Sequence, residues 1–293
     1  MDESLSYLRL IVTEENNYSL MYKMKSDDVK VITQEEQAMQ IEDFKSIIKF
    51  FSVSDRGLKK IKFVGGEPLL YRGLEELIEY SRDLGISEIG ITTNGIGLGT
   101  RILKLKECGL TNVNIFLDSL KEYKYNALTG GANLKEVFIS IDACQMAGIN
   151  LKINCVAIKD FNDDELIDFM KLTIANKMDV RLIELLPYNI DKNVYERGYM
   201  DLKEYMRNIE AIYKTDDEEL SLTEYFQIMG AEGRVGIITT SSREYKEDLR
   251  RVNVSNRGYM NVGALQENKY FIKPYIHDKE KLDDLFYKIT TNL

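Results

Sequence analysis

Residues 60–70 read KIKFVGGEPLL, and this stretch decides the fold class of the chain. Its first half carries β-branched and aromatic side chains between lysines, a composition typical of a β-strand. The strand runs into the GGEP of residues 65–68, where glycine and proline favour a turn. A helix predicted over residues 74–84 follows, and Gly85 stands where a glycine commonly ends a helix. The stretch is therefore one strand–loop–helix unit of an α/β protein.

The same unit recurs on both sides of this stretch. Further strands are predicted over residues 7–12, 88–92, 112–117, 151–157 and 179–185. Amphipathic helices lie between the strands, and one is expected to begin at Thr33, where Thr33 and Glu36 fit a capping box. Strands that alternate with helices favour a parallel sheet. Counted with the strand at residue 60, the six strands fit a partial TIM-type (β/α)6 barrel better than a full barrel.

The alternation of strands and helices stops after Pro187. The elements predicted beyond it are a helix over residues 201–213, strands over 234–239, 251–254 and 259–262, and a last helix over 279–290. The glycine that ends the connection between the last two strands favours a tight hairpin. We therefore expect a partial barrel over residues 1–190 and a β-rich and helical C-terminal extension over 191–293.

Composition narrows the classes of function. The chain has 293 residues and a formal net charge of −9, which argues against a broad nucleic-acid surface, since such a surface needs clustered lysine and arginine. No apolar run approaches the roughly 18–20 residues that span a bilayer, and a cytoplasmic location is expected. The three cysteines, Cys108, Cys144 and Cys155, lack CxxC spacing. This spacing favours buried small residues over a disulfide framework or a zinc site.

Basic side chains interrupt several of the predicted strands. Arg9 lies in LRLIV, Lys62 in IKFV, Lys152 in LKINCV and Arg181 in VRLIEL. Strands of a parallel barrel are buried on both faces, so a charge there needs a partner. Each cation can extend to solvent at the barrel bottom or pair with a carboxylate inside the protein. If they cluster instead at the carboxyl-terminal mouth, they form a pocket for an anionic ligand, with a phosphorylated nucleotide the natural candidate.

The order of the motifs is similar to that of a known family. The chain contains, in this order, LRLIVTEENN, KFVGGEPLL, ITTNG, NVNIFLDSL, ALTGG, KINCVAIKDFNDDEL, RLIELLP, GRVGIITTSSREY, RGYMNVGAL and IKPYI. This ordered set resembles the GTP 3′,8-cyclase (MoaA) family of the radical SAM superfamily over nearly the whole chain. The resemblance implies a radical SAM-type partial barrel.

The resemblance also identifies the positions at which the family binds its iron–sulfur clusters. In the family, a CxxxCxxC motif after the first strand holds a [4Fe–4S] cluster, and the matching residues here are Asn16, Leu20 and Lys23. The positions that match the second cluster's cysteines hold Lys246, Leu249 and Gly263. Cluster iron is held by thiolates, which none of these residues supplies. We therefore expect a divergent member without a [4Fe–4S] cluster.

Part of the family's ligand-binding apparatus is retained. The residues that match its S-adenosylmethionine contacts, or border them, are Tyr22, Gly65, Gly66, Glu67, Pro68, Thr92 and Asn94. Phe116 and Leu186 stand where the family has a serine and a methionine, which weakens the case for this cofactor. The residues that match the substrate side, with the nearby Thr92, are Arg9, Lys62, Thr92, Lys152 and Arg251. Lys62 and Asn253 each replace a family arginine.

These observations predict a protein that has lost radical catalysis and binds a nucleotide, another small anion or an S-adenosylmethionine-like ligand. It would act as a binding protein, or as the partner of an active radical SAM enzyme or a peptide. The alternative is a repurposed enzyme, a transferase or lyase that uses S-adenosylmethionine or a nucleotide without radicals. Its candidate catalytic residues are Lys23, Glu67 and Tyr22, with Asp118 nearby.

Overall fold

The computed structural model describes residues 6–20, 37–53, 57–187, 190–215, 223–239, 251–263 and 269–291. Its strands are β1 (Tyr7–Thr13), β2 (Lys60–Gly65), β3 (Glu88–Thr93), β4 (Asn112–Phe116), β5 (Asn150–Ala157), β6 (Asp179–Glu184), β7 (Ile212–Lys214), β8 (Glu224–Ile228), β9 (Val235–Ile238), β10 (Arg251–Val254), β11 (Tyr259–Val262) and β12 (Tyr270–Phe271). Its α-helices are α1 (Ile41–Val53), α2 (Leu74–Asp83), α3 (Ile102–Cys108), α4 (Glu122–Thr129), α5 (Leu134–Met146), α6 (Leu166–Lys171), α7 (Lys192–Gly198), α8 (Leu202–Arg207) and α9 (Lys279–Thr291). None of these helices combines the length and the apolar character needed to cross a membrane.

The strands form one sheet of 12 in the order β12-β11-β10-β1-β2-β3-β4-β5-β6-β9-β8-β7. Strands β1 to β6 lie side by side in chain order and are parallel throughout. This arrangement confirms the α/β class and the partial barrel predicted from the sequence. Within the described sheet, β1 and β6 do not pair with each other. The outer edge of β1 pairs with β10 and the outer edge of β6 pairs with β9, and both of these strands come from the C-terminal part of the chain.

Period-2 alternation explains why these residues form this sheet. In β1, Leu8, Leu10 and Val12 are buried, whereas Tyr7 and Arg9 are only partly buried. Successive side chains of a strand point to opposite faces. The buried set packs with α1 in the main hydrophobic core, so the other set lines the face turned away from the helices, which we call the inner face. The basic residues of the strands lie on this inner face.

The strands after residue 190 extend the same sheet at both edges. Strand β10 runs parallel to β1, pairing Arg251 with Tyr7, and begins the antiparallel set β10–β11–β12. Strand β9 runs parallel to β6 and begins the antiparallel set β9–β8–β7. The predicted hairpin over β10 and β11 is confirmed. A division of the chain at residue 190 stays a prediction, and the described hydrogen bonds join both parts into one sheet.

Two helix predictions are wrong. Helix α1 begins at Ile41 rather than at Thr33, and residues 37–40 are not helical; Thr33 and Glu36 themselves lie outside the described residues. The carboxylate of Asp43 accepts a hydrogen bond from the backbone N–H of Gln40 at 2.8 Å, which caps the helix there.

The helix predicted over residues 201–213 is also shorter than expected. It ends at Arg207, and Ile212–Lys214 forms strand β7. Strand β7 pairs with β8, so tertiary hydrogen bonds override the local helical pattern.

The two glycines of the GGEP loop are required by a close approach of backbones. A Cβ on Gly65 would lie 2.2 Å from the carbonyl oxygen of Thr13, and one on Gly66 would lie 2.1 Å from that of Glu15. The same approach lets Gly66 N–H donate to Thr13 O at 2.9 Å and Glu67 N–H donate to Glu15 O at 2.7 Å. The loop after β1 is therefore fastened to the end of β2.

We expect Gly66→Ala to lower the free energy of unfolding by about 1–3 kcal/mol, because the added methyl group must displace backbone atoms. The measurement is chemical denaturation followed by circular dichroism. Gly90→Ala is the matched control, since a Cβ there meets its nearest atoms at 3.4 Å, an ordinary contact. Equal losses in the two variants would contradict the packing argument.

Candidate functional site

The carboxyl ends of β2 and β3 are held together by the buried carboxylate of Glu67. Its Oε1 accepts hydrogen bonds from Thr93 Oγ1 at 2.7 Å and from Leu69 N–H at 3.0 Å, and its Oε2 accepts one from Asn94 N–H at 2.8 Å. Burial raises the pKa of Glu67, and these hydrogen bonds partly offset that effect. Glu67 therefore holds the loops together, and its assignment to a cofactor amino group or to catalysis stays a prediction.

Asn94 links this end of the sheet to the loop after β1. Its Nδ2 donates to Asn17 Oδ1 at 2.6 Å, and its Oδ1 accepts the N–H of Ile96 at 2.9 Å. Thr92 lies on the inner face, level with Asn114 of the next strand. Pro68 is buried and opens a single turn of 3-10 helix. The structure thus brings the described members of the predicted cofactor set to one edge of the sheet.

The remaining members of that set, Tyr22 and Lys23, lie outside the described residues, as do Lys246 and Leu249. Of the other positions that match cluster cysteines, Asn16 is exposed and uses its side-chain oxygen to accept the N–H of Tyr18 at 3.4 Å. Leu20 is a partly buried hydrocarbon side chain. Neither side chain offers sulfur to a metal.

All three cysteines of the chain are buried in the core, as the spacing predicts. Cys108 and Cys144 lie on helices, and Cys155 lies on β5 with its side chain on the face opposite to Lys152 and Asn154. Burial raises the pKa of Cys144 to about 12 and raises those of Cys108 and Cys155 as well. These thiols are protonated at neutral pH, and a thiol must lose its proton before it binds iron.

Two tyrosines lie near Glu67 and Asp118, and the sequence reasoning did not identify them. Burial raises the pKa of both Tyr18 and Tyr125, and the negative charge of Asp118 adds to the effect. The hydroxyl of Tyr125 is buried without a hydrogen-bond partner among the described residues. Asp118 is itself buried and accepts the N–H of Val156 at 2.7 Å.

A second polar zone covers the inner face. Its basic residues, which we call the cationic face, are Arg9, Lys62, Lys152, Arg181 and Arg251. Strand register places Arg9 level with Lys62, Asn114 level with Lys152, and Asn154 level with Arg181. Each of these five residues is partly buried. The structure therefore brings the predicted substrate residues together.

The location of the cationic face differs from the expected one. Arg9, Lys62 and Arg181 are each the third residue of their strands, in the half nearer the amino end. At about 3.3 Å per residue, Lys62 lies roughly 10 Å before the GGEP loop. The cations therefore line the interior of the partial barrel rather than its carboxyl-terminal mouth. The apolar alternation needed for core packing makes them point inward, and their early positions in the strands set their level.

Lys62 and Arg181 share one neutral acceptor. The Asn114 amide is oriented with its oxygen 2.7 Å from Lys62 Nζ and 2.8 Å from Arg181 Nη2, since the opposite orientation would set its NH2 group against two donors. Arg181 Nε also donates to Asn154 Oδ1 at 2.9 Å. The amides supply hydrogen-bond acceptors but no negative charge.

Lys62 forms no ion pair with a carboxylate among the described residues, and its surroundings shift its pKa. Burial holds the pKa of Lys62 well below its usual value, and the neighbouring charges of Arg181, Lys60, Lys152 and Arg9 lower it further. A desolvated amine among cations favours its neutral form.

Lys152 has partners of its own. Its Nζ lies 3.1 Å from Tyr225 Oη and 3.5 Å from Asp179 Oδ2. Asp179 also binds Arg234 at 2.8 Å, and the Arg234 guanidinium stacks 4.1 Å from the Tyr225 ring centroid. Burial alone would raise the pKa of Asp179, but the Arg234 hydrogen bonds and the Lys152 charge bring it below its usual range. Tyr225 and Arg234 come from the C-terminal strands and were not identified from the sequence.

Strand β10 contributes unsatisfied polar atoms. The Nε of Arg251 and the side-chain oxygen of Asn253 are buried and have no hydrogen-bond partner among the described residues. Asn253 uses its Nδ2 to bind Gly263 O at 2.8 Å. A buried donor and a buried acceptor without partners each cost about 1–3 kcal/mol, which a ligand able to bind them would recover.

Comparison with known proteins agrees with this architecture. The chain matches the model of the Radical SAM superfamily over residues 25–173. A GTP 3′,8-cyclase from Peptoclostridium acidaminophilum is 33% identical over 262 residues, covering 88% of this chain and 80% of that protein. A GTP 3′,8-cyclase from Alkaliphilus oremlandii is 32% identical over 283 residues, covering 96% of this chain and 84% of that protein.

Solved structures show the same fold at low sequence identity. Streptococcus suis SuiB bound to precursor peptide SuiA superposes with a TM-score of 0.61 at 13% identity, over 94% of this chain and 63% of SuiB. Native anSMEcpe with bound AdoMet gives a TM-score of 0.57 at 15% identity, over 94% of this chain and 82% of that chain. These similarities confirm the α/β partial barrel and say nothing about the ligand of this chain.

We expect Lys62→Met to raise the free energy of unfolding at pH 7 by about 1–3 kcal/mol, because it removes an amine that is costly to charge in the folded protein. Between the lowered folded pKa and the unfolded value of 10.5, the unfolded chain holds a proton that the folded chain has lost. Stability of the parent protein therefore rises with pH through this window. The variant should show a smaller rise.

The measurement is chemical denaturation at several pH values. Lys60→Met is the control, because Lys60 lies on the same strand but forms an exposed ion pair with Glu88 at 3.0 Å. That change should stay within about 0.5 kcal/mol. A Lys62→Met protein that is less stable than the parent would show that the Lys62 amine does not destabilise the folded protein.

Proposed function

This chain belongs to the radical SAM superfamily as a relative of the GTP 3′,8-cyclases, and from that premise we propose that it binds a small phosphorylated ligand, a nucleotide in the first instance, without an iron–sulfur cluster. The cationic face carries this proposal. It assembles basic side chains from β10, β1, β2, β5 and β6 around neutral amides. Keeping like charges close together is costly, and a phosphate group bound among them would lower that cost.

The donor set at the cluster loop supports the proposal that no cluster binds. Asn16, Leu20 and Lys23 hold the positions of the family's cysteines, and the chain's three cysteines are buried elsewhere. Amide oxygen, hydrocarbon and ammonium are poor substitutes for thiolates around iron. We therefore propose that radical cleavage of S-adenosylmethionine is lost.

S-Adenosylmethionine is the second ligand to consider. The relative anSMEcpe binds AdoMet, and this chain retains the GGEP loop. However, both carboxylate oxygens of Glu67 already accept hydrogen bonds from protein groups. The cationic face, with its unsatisfied Arg251 and Asn253, favours a nucleotide instead. Association with a peptide or an active radical SAM enzyme, and a cytoplasmic location, stay predictions.

We expect calorimetry at low ionic strength to show binding of GTP that weakens through GDP to guanosine, because phosphate supplies most of the attraction. Arg251→Ala should weaken GTP binding by about 10-fold or more, the value of one lost charge-assisted hydrogen bond. Arg82→Ala is the matched control, since Arg82 pairs with Glu79 and Asp83 on the outside of α2. Equal affinity for guanosine and GTP, or no binding of either, would overturn the nucleotide proposal.

We expect no stoichiometric iron or acid-labile sulfide after anaerobic reconstitution with iron and sulfide, because the loop supplies no thiolate. The measurements are metal analysis and the visible absorption spectrum. A GTP 3′,8-cyclase from a relative named above, treated in the same way, serves as the positive control. A brown protein with iron and sulfide in a fixed ratio to the chain would disprove cluster loss.

A further inference from the structure

We propose that Lys62 is a nucleophilic amine that forms a reversible Schiff base with a small aldehyde or ketone carrying a phosphate or carboxylate group. The inference rests on the proposed function, because the same cationic face would bind the anionic part of this ligand. It goes further by assigning a covalent step to one residue and a carbonyl group to the ligand.

The surroundings of Lys62 differ from those of other lysines in the sheet. Lys60, two residues earlier, pairs with Glu88 at 3.0 Å, and Lys152 lies 3.5 Å from Asp179. Lys62 Nζ instead lies 2.7 Å from the neutral amide oxygen of Asn114, and it forms no ion pair with a carboxylate among the described residues. A single neutral acceptor is enough for an uncharged amine, which then retains its lone pair.

Gly90 on the neighbouring strand leaves room for the Lys62 side chain to reach Asn114. Gly90 is the register partner of Lys62 on β3, and a Cβ there would lie 3.4 Å from Lys62 Cε. The side chain of Lys62 therefore crosses over Gly90 to reach Asn114 on β4.

The local charge favours the reactive form. Burial and the charges of Arg181, Lys152 and Arg9 depress the pKa of Lys62, which favours the uncharged amine. Lysines desolvated next to another cation are a known source of nucleophilic amines. The neighbouring cations together carry more positive charge than one ligand carboxylate neutralises. The amine therefore remains in a positive environment after such a ligand binds.

The proposed step is balanced without an oxidant or a reductant. The Lys62 nitrogen adds to the carbonyl carbon, and a proton passes from nitrogen to the carbonyl oxygen to give a carbinolamine. Loss of the hydroxyl group with a second nitrogen proton releases one water molecule and forms the carbon–nitrogen double bond. Addition of water reverses the step and restores the amine and the carbonyl compound.

The test is reductive trapping with the full-length protein. The probes are dihydroxyacetone phosphate and pyruvate, with dihydroxyacetone and acetone as uncharged counterparts, each incubated with borohydride at pH 7. Intact-mass measurement and peptide mapping locate the adduct. We expect one adduct per chain on Lys62, formed at least 10-fold more with a charged probe than with its uncharged counterpart.

Two variants test whether the adduct forms on Lys62 itself. Lys62→Arg keeps a long basic side chain but removes the amine and should lose the adduct, whereas Lys60→Arg should retain it. If Lys62→Arg fails to fold, protection of Lys62 in the parent protein by inorganic phosphate gives the same information. Adducts spread over surface lysines, an unchanged adduct in Lys62→Arg, or no adduct with either charged probe would overturn the inference.

The outcome separates this inference from the nucleotide proposal. GTP binding without a trapped adduct would leave the proposed function standing and eliminate the Schiff base. Loss of both would eliminate both. An adduct on Lys62 of equal extent with charged and uncharged probes would overturn the part of the inference that assigns an anionic group to the ligand.

Discussion

Like charges held together on the inner face of a parallel sheet are the constraint on which the functional interpretation of this protein depends. Arg9, Lys62 and Arg181 occupy strand positions whose neighbours pack against the helices, so their side chains must point inward. The amide oxygens of Asn114 and Asn154 accept hydrogen bonds from Lys62 and Arg181 without adding negative charge. The proposed anionic ligand would lower the electrostatic cost of keeping these cations together.

The opposite end of the inner face is stabilised differently. Glu67 satisfies donors from three backbone and side-chain groups, and Gly65 and Gly66 allow the loop after β1 to approach β2 closely. These contacts lie within the protein and need no ligand. The GGEP loop can therefore be retained for structural reasons after the cluster ligands are lost, which explains how a family motif survives without the family's cysteines.

The C-terminal strands matter to the site as much as to the fold. Strand β10 places Arg251 and Asn253 beside β1, and β8 and β9 place Tyr225 and the neighbouring Arg234 near Lys152 of β5. Without these strands the chain would lose Arg251 and Asn253, and Lys152 and Asp179 would lose their partners Tyr225 and Arg234. Both edges of the sheet therefore contribute side chains to the inner face, and the loss of either edge changes the charge on that face.

The sequence by itself determined the strand–helix order, the hairpin of β10 and β11, the burial of the cysteines and the identity of most cations on the inner face. Each of these follows from local periodicity, from glycine placement or from motif order. Tertiary structure alone decided that β7 replaces the end of a predicted helix, that the cations lie inside the barrel rather than at its mouth, and that Lys62 meets an amide instead of a carboxylate. The physical reason is that hydrogen-bond partners and charge neighbours come from strands far apart in the chain, and their register is set by packing that no local pattern records.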